Sequence, residues 1–257
     1  MLAFSNIYSH GFGTNQLSQL EALGFGIRSQ ASRYMGAQLC RFIDFERGPS
    51  LELIEVEDDQ AYMDFIPDGM QAYCPGISLA LSADESLAAY EGEFSHLRPY
   101  PLHVNYDGSP GSLEPGWNYL NFAASVVRDT FIWLTAYDEP RPVKEHVSSH
   151  PNTVQGIEGI VFDLDSDELN SLRQLVKGEL TQGAFEINGL KVWTRDAIDA
   201  SLVGQDKVFP LVAVVLKAEN LGAFTDLPGQ ARPFSFMSQP ALHGVTHRRS
   251  WDLVVIS

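Results

Sequence analysis

The stretch Ala3–Gly26, AFSNIYSHGFGTNQLSQLEALGFG, carries the pattern on which the fold reading turns. Its opening, Ala-Phe-Ser-Asn-Ile-Tyr, reads as a short strand that ends near Gly11 and Gly13. Thr14 or Asn15 is then placed to cap a helix, and Leu17, Leu20 and Leu23 give that helix an apolar stripe at helical spacing. Gly24 stops it. Working outward, three further strands are predicted over Gly26–Ser29, Gln38–Phe45 and Leu51–Val56. The first unit therefore reads strand, helix, strand, strand, strand.

The same order recurs along the chain. Ile77–Leu81 reads as a strand and Ser82–Tyr90 as a short helix with Asp84 and Glu85 in its first turn. Strands follow around Leu102–Tyr106, Trp117–Ala123 and Thr130–Tyr137, the last two rich in aromatic and β-branched residues. A third unit opens at Gly159–Leu164, Asp165-Ser166-Asp167-Glu168 caps a helix running to about Val176, and Ala184–Trp193 reads as a hairpin through Asn188-Gly189. A fourth has a strand at Leu211–Leu216, a weak helix at Leu221–Phe224 and a last strand at Trp251–Ile256. Asp138–Gly156, with Pro140, Pro142 and Pro151, reads as the linker between two halves. Four short mixed units with more strands than helices predict an α+β fold rather than a doubly wound parallel sheet.

Composition narrows the partners. The chain has 257 residues, 44% of them hydrophobic, enough for a sizeable core. With 33 Asp and Glu against 17 Lys and Arg, its formal charge is −16. Such a surface repels phosphate backbones and anionic lipids, so neither nucleic acid nor a membrane surface is the expected partner. The two cysteines, Cys40 and Cys74, cannot form a disulfide framework for a chain of this length. No signal-peptide pattern opens the sequence, and no apolar run reaches the roughly 18 residues of a membrane span. The expected compartment is the cytoplasm.

Several segments, in order, resemble the vicinal-oxygen-chelate superfamily and within it the glyoxalase-like domains. Leu20–Gly26 looks like the helix end and Gly-Phe turn of a first module, and Leu51–Glu55 is similar to the family's Leu-Glu-Leu-Ile strand. Gly76–Glu85 looks like the start of a second module, with Trp117–Phe122 and Phe131–Trp133 as later strands. His150-Pro151-Asn152 and Ile157–Phe162 resemble the opening of a third. The resemblance implies repeated βαβββ modules paired into incomplete barrels, a first pair over residues 1–141 and a more divergent pair over 142–257. It also implies a cavity that commonly holds a divalent metal (Fe, Mn, Ni or Zn) on His and Glu, although metal-free ligand-binding members exist. Modules of the family also pair across subunits, which leaves a homodimer open.

The family's first strand often begins Asp-His, with the His a metal ligand; here Ser5 and Asn6 hold those positions. Strand alternation puts Asn6, Tyr8 and His10 on one face, so His10 could supply an imidazole to the same wall. It could equally be a solvated residue beside a Gly-rich turn. Glu52 stands where the resemblance places the family's carboxylate. With Ile54 and Val56 it points inward, or the register is reversed and it is exposed. His103, on a strand of the second module, is the third candidate ligand, against a structural role. His150 reads as a turn or capping residue, and His243 and His247 lack a helix between them to act as a pair. Tyr8, Trp117, Trp133 and Tyr137, with Asn6, are the candidates for contacts to a ligand, or are core.

Two functional readings follow. In one, Glu52 with His10 and His103 holds a metal that polarises a small oxygenated substrate, and a freed carboxylate moves a proton, as in a lyase, isomerase or dioxygenase. In the other, the protein binds or sequesters a small molecule without metal. The missing Asp-His favours the second.

Overall fold

The computed structural model describes residues 2–28, 32–34, 37–66, 70–82, 84–104, 117–137, 150–179, 184–198, 207–225, 232–236, 239–244 and 251–257. The fold is α+β, built on two open sheets. The first half comprises β1 (Ala3–His10), α1 (Thr14–Ala22), β2 (Ser32–Tyr34), β3 (Gln38–Ile43), β4 (Ser50–Val56), α2 (Asp59–Phe65), β5 (Gly76–Ala80), α3 (Leu87–Glu93), β6 (Pro99–Val104), β7 (Trp117–Phe122) and β8 (Phe131–Tyr137). The second comprises β9 (Val154–Phe162), α4 (Ser166–Val176), β10 (Ala184–Ile187), β11 (Leu190–Thr194), β12 (Leu211–Ala218), α5 (Leu221–Thr225), β13 (Arg232–Phe236), β14 (Gln239–Gly244) and β15 (Asp252–Ile256).

The repeat predicted from the sequence appears as sheet topology. The first sheet has the order β2-β3-β4-β1-β5-β8-β7-β6 and the second β10-β11-β9-β12-β15-β14-β13. Within each module the first strand runs parallel to the last, β1 to β4 and β5 to β8. The two modules then join edge to edge through their first strands, β1 antiparallel to β5, and β9 to β12 in the second sheet. The third module shows one strand fewer than the other three among the described residues.

Local chemistry explains where elements start. Asp165 and Glu168 form a complete capping box at α4. Asn188 and Gly189 both take positive φ, as a two-residue hairpin turn requires. Several expectations need correction. No strand forms over 26–28; the second strand is Ser32–Tyr34. Gly13 stands at the N-cap of α1, not Thr14 or Asn15. The α3 helix begins at Leu87 behind a Ser86 cap, because the Ser82 hydroxyl bonds Asp84 and Glu85 and spends that stretch on a turn. And α2, capped by Asp58, was not foreseen.

A single core joins the halves. Leu17 and Leu20 of α1, Tyr90 of α3, Leu172 and Leu175 of α4 and Phe224 of α5 pack in one cluster with Ile7, Leu53 and Ile77 of the first sheet and Ile160, Val214 and Val255 of the second. The segment read as the end of a linker belongs to this seam. His150 accepts the Gly26 N–H at 3.0 Å through Nδ1, and its Nε2–H meets the Asp44 carbonyl at 3.0 Å. Asn152 donates to the Leu23 carbonyl at 2.9 Å. Arg47 pairs with Gly156, where a Cβ would lie 2.7 Å from the Arg47 carbonyl oxygen. Trp251 is fully buried, packs tilted against Phe12 with ring centroids 5.9 Å apart and donates from its indole to the Tyr8 carbonyl at 3.4 Å. Among the described residues no helix is long and apolar enough to cross a membrane.

Removing the Trp251 side chain opens a cavity under both halves. Trp251→Ala is expected to destabilise the fold by about 3–5 kcal/mol, read as a lowered urea midpoint; a loss below about 1 kcal/mol would show that the seam is not part of the core.

Candidate functional site

The site is the face of the first sheet opposite the one packed into the shared core. Alternation sends Ile7, Leu51, Leu53, Ile77, Leu79, Ile132 and Leu134 into the core beneath the helices. The opposite parity puts Tyr8, Cys40 and Ile54 together on the other face, with Phe42, Phe131 and Trp133 half-buried around them. Glu52 lies in register with Tyr8 on one side and Phe42 on the other, so it shares this face. Glu55 points the other way and pairs with Arg41 at 3.2 Å. Glu52 is half-buried on this face with Ile54, opposite the face that sends Leu51 and Leu53 into the core.

An aromatic file crosses the face. Tyr62 of the unforeseen α2 lies 5.1 Å from His10, His10 lies 5.5 Å from Tyr8, Tyr8 lies 4.9 Å from Trp133, and Trp133 meets Tyr119 edge-on at 5.8 Å. Tyr8 reaches Trp133 because the neighbouring strand offers Gly76: a Cβ there would sit 2.3 Å from the Tyr8 ring. At the far end Tyr137 exchanges a 2.9 Å hydrogen bond with Ser5. Trp117 stands opposite Tyr137 in the β7–β8 register, and His103 opposite Asn118 in β6–β7. The side chains of Trp117 and His103 lie outside the described residues, as do the His243 side chain and all of His247.

Polar groups punctuate this wall. Asn6 donates from Nδ2 to Glu52 Oε2 at 3.3 Å. Burial, and then the neighbouring Glu52 carboxylate, hold the Cys40 thiol pKa well above the usual thiol range, so it is not a reactive thiolate. The Ser78 and Thr135 hydroxyls bond each other at 2.8 Å. On this face two buried atoms, Asn6 Oδ1 and Trp133 Nε1, have no hydrogen-bond partner among the described residues. An unanswered acceptor and an unanswered donor on one apolar face are costly unless something supplies the missing halves.

His10 is 4% exposed and both its nitrogens are engaged. Nδ1–H faces the Cys74 carbonyl at 3.1 Å, and Nε2 accepts from the Gln38 amide at 3.4 Å. That fixes a neutral tautomer and uses the lone pair a metal would need. Among the described residues no three His, Cys, Asp or Glu side chains converge on one point. Asn6, at the position where the resemblance expects the ligating His, offers only an amide. Among the described residues, His10, Glu52 and Asn6 do not by themselves make a divalent-metal site; the third candidate ligand, the His103 side chain, lies outside them.

Burial pulls the His10 ring down to about 4, against two backbone hydrogen bonds that raise it. A depressed imidazole pKa stabilises the fold above the ordinary His value and loses that contribution as pH falls from about 6.5 towards 4. The His10 ring proton signals in an NMR titration are expected to show a midpoint near 4. A midpoint at the ordinary value of about 6.5 would mean that the ring is solvated and its nitrogens free.

No protein-family model and no curated protein sequence matches the chain. Solved structures do. The chain superposes with a TM-score of 0.57 on the Mn(II)-bound glyoxalase from Novosphingobium aromaticivorans, at 8% identity over 98% of this chain and 81% of that one. It matches the 2,2',3-trihydroxybiphenyl 1,2-dioxygenase from Sphingomonas wittichii strain RW1 at 0.56 and 10% identity, over 99% and 89%. An extradiol ring-cleaving dioxygenase from B. fuscum matches at 0.55 and 9% identity, over 100% and 72%. At such identities the likeness is one of fold. The chain shares the paired-module α+β fold of these dioxygenases and this glyoxalase.

Proposed function

We propose that the Tyr8 face of the first sheet is a metal-independent binding site for a small planar organic molecule. The observation that carries this reading is the aromatic file from Tyr8 through Trp133 to Tyr119, half-open at Phe42, Phe131 and Trp133 and set with two unanswered polar atoms. Aromatic side chains with a few placed polar groups are what a small-molecule site requires. Two of the structural neighbours are named as a ring-cleaving dioxygenase and a trihydroxybiphenyl dioxygenase, which is compatible with a planar oxygenated ligand.

The neighbours' metal chemistry does not carry over with the same support. A metal-dependent lyase, isomerase or dioxygenase built on Glu52 and His10 needs lone pairs that converge, and here the Gln38 amide holds that of His10 Nε2 while Glu52 Oε2 is drawn to Asn6. Glu52 on this reading orients Asn6 rather than ligating or moving a proton. The site holds its ligand by stacking and hydrogen bonds.

Titration with 2-naphthol, followed by tryptophan fluorescence, tests the reading. Saturable quenching is expected, unchanged by EDTA and lost with the reporter in Trp133→Phe. No saturable response, or a response that appears only after adding iron, manganese, nickel or zinc, would contradict it.

A further inference from the structure

The orientation of Asn6 allows the ligand to be specified further, on the strength of the binding reading above. An amide can present either its oxygen or its NH2 to a cavity, and its hydrogen bonds decide which. Here Nδ2 is drawn to Glu52 Oε2, a carboxylate that can only accept, which leaves Oδ1 facing away with no donor among the described residues. On the same face Trp133 Nε1 is a donor that cannot become an acceptor, and it has no partner among them either. Asn6 is in register with Ser78 and Ser78 with Trp133, so the two stand in one row two strands apart, about 10 Å between backbones. The Trp133 ring lies 4.9 Å from that of Tyr8, the next residue on the Asn6 face.

We infer that the site selects an uncharged ring carrying a hydrogen-bond donor and an acceptor at one edge, a neutral phenol-type hydroxyl or a ring amide, and that Glu52 is the positioning residue that sets this selectivity. A hydroxyl satisfies both orphans at once, donating to Asn6 Oδ1 and accepting from Trp133 Nε1. A deprotonated oxygen cannot donate; it would meet the Asn6 carbonyl dipole with Glu52 just behind it, and both repel it. An ether accepts but leaves Asn6 Oδ1 unanswered. The site therefore distinguishes a protonated hydroxyl from its methyl ether, although the two share ring and shape.

The test compares 2-naphthol with 2-methoxynaphthalene by fluorescence titration in EDTA, on the full chain and on Asn6→Leu, Glu52→Gln and Trp133→Phe, the last by competition against a bound dye. Naphthol is expected to bind about tenfold tighter than its ether, the scale of one buried acceptor left unsatisfied. Asn6→Leu should reduce the ratio to below about twofold. Glu52→Gln, which keeps the side-chain shape and lets the Asn6 amide turn over, should do the same without loss of ether binding. Trp133→Phe should weaken both probes equally. Equal binding of the two probes to the unaltered protein, or a ratio untouched by Glu52→Gln, overturns the inference and leaves the binding reading standing. If neither probe binds, the binding reading fails and the inference with it.

Discussion

Strand β1 is paired on both edges, parallel to β4 and antiparallel to β5, and the rest of the molecule depends on that pairing. The parallel contact closes the first module: running β4 alongside β1 in the same direction takes a long crossover, supplied here by α1, β2 and β3. The antiparallel contact joins the second module. Since side chains alternate, the same register that sends Ile7 into the shared core turns Asn6, Tyr8 and His10 onto the opposite face. A slip of one residue would exchange those sets and remove core and site together. The Trp251 indole, bonded to the Tyr8 carbonyl, ties the second half to this strand.

The second sheet repeats the topology but not the site. Its corresponding face is filled by Val161, Trp193, Val212, Val215, Val254 and Ile256. Trp193 lies over Gly159, where a Cβ would come within 2.4 Å of the ring, much as Tyr8 lies over Gly76. The polar residues here are Lys207 and Asp252, buried together 2.5 Å apart, with burial pulling the lysine pKa down and the carboxylate opposing it. Among the described residues this face is packed with aliphatic side chains and Trp193 and shows no open aromatic wall. One half of the repeat carries the candidate site, and the other supplies the seam that holds it.

How much of this was legible depended on how local the signal was. The α4 capping box and the Asn188-Gly189 turn are written in adjacent residues, and both formed as read. The repeated strand-helix-strand order predicted the modules because amphipathic alternation needs no knowledge of partners. The direction of Glu52 was undecidable from one strand, since Leu-Glu-Leu-Ile-Glu alternates plausibly in both registers; pairing with β1 and β3 settled it. The α2 helix, which brings Tyr62 against His10, is seven residues without a clear apolar stripe and is held by tertiary contact. The docking of His150 and Asn152 was hidden because Pro and Ser in a segment resemble a linker whether or not its polar side chains find buried partners.

The central claim is that the Tyr8 face of the first sheet receives a ligand directly, with Trp133 as one of its hydrogen-bond donors. The most direct measurement is the indole N–H spectrum of the 15N-labelled protein, recorded in EDTA as 2-naphthol is added, with Trp133 identified by its absence in Trp133→Phe. The account predicts that the Trp133 N–H signal moves downfield to saturation while that of Trp251, already bonded to Tyr8 in the seam, stays in place. An unmoved Trp133 signal under conditions where naphthol demonstrably binds the protein would contradict it.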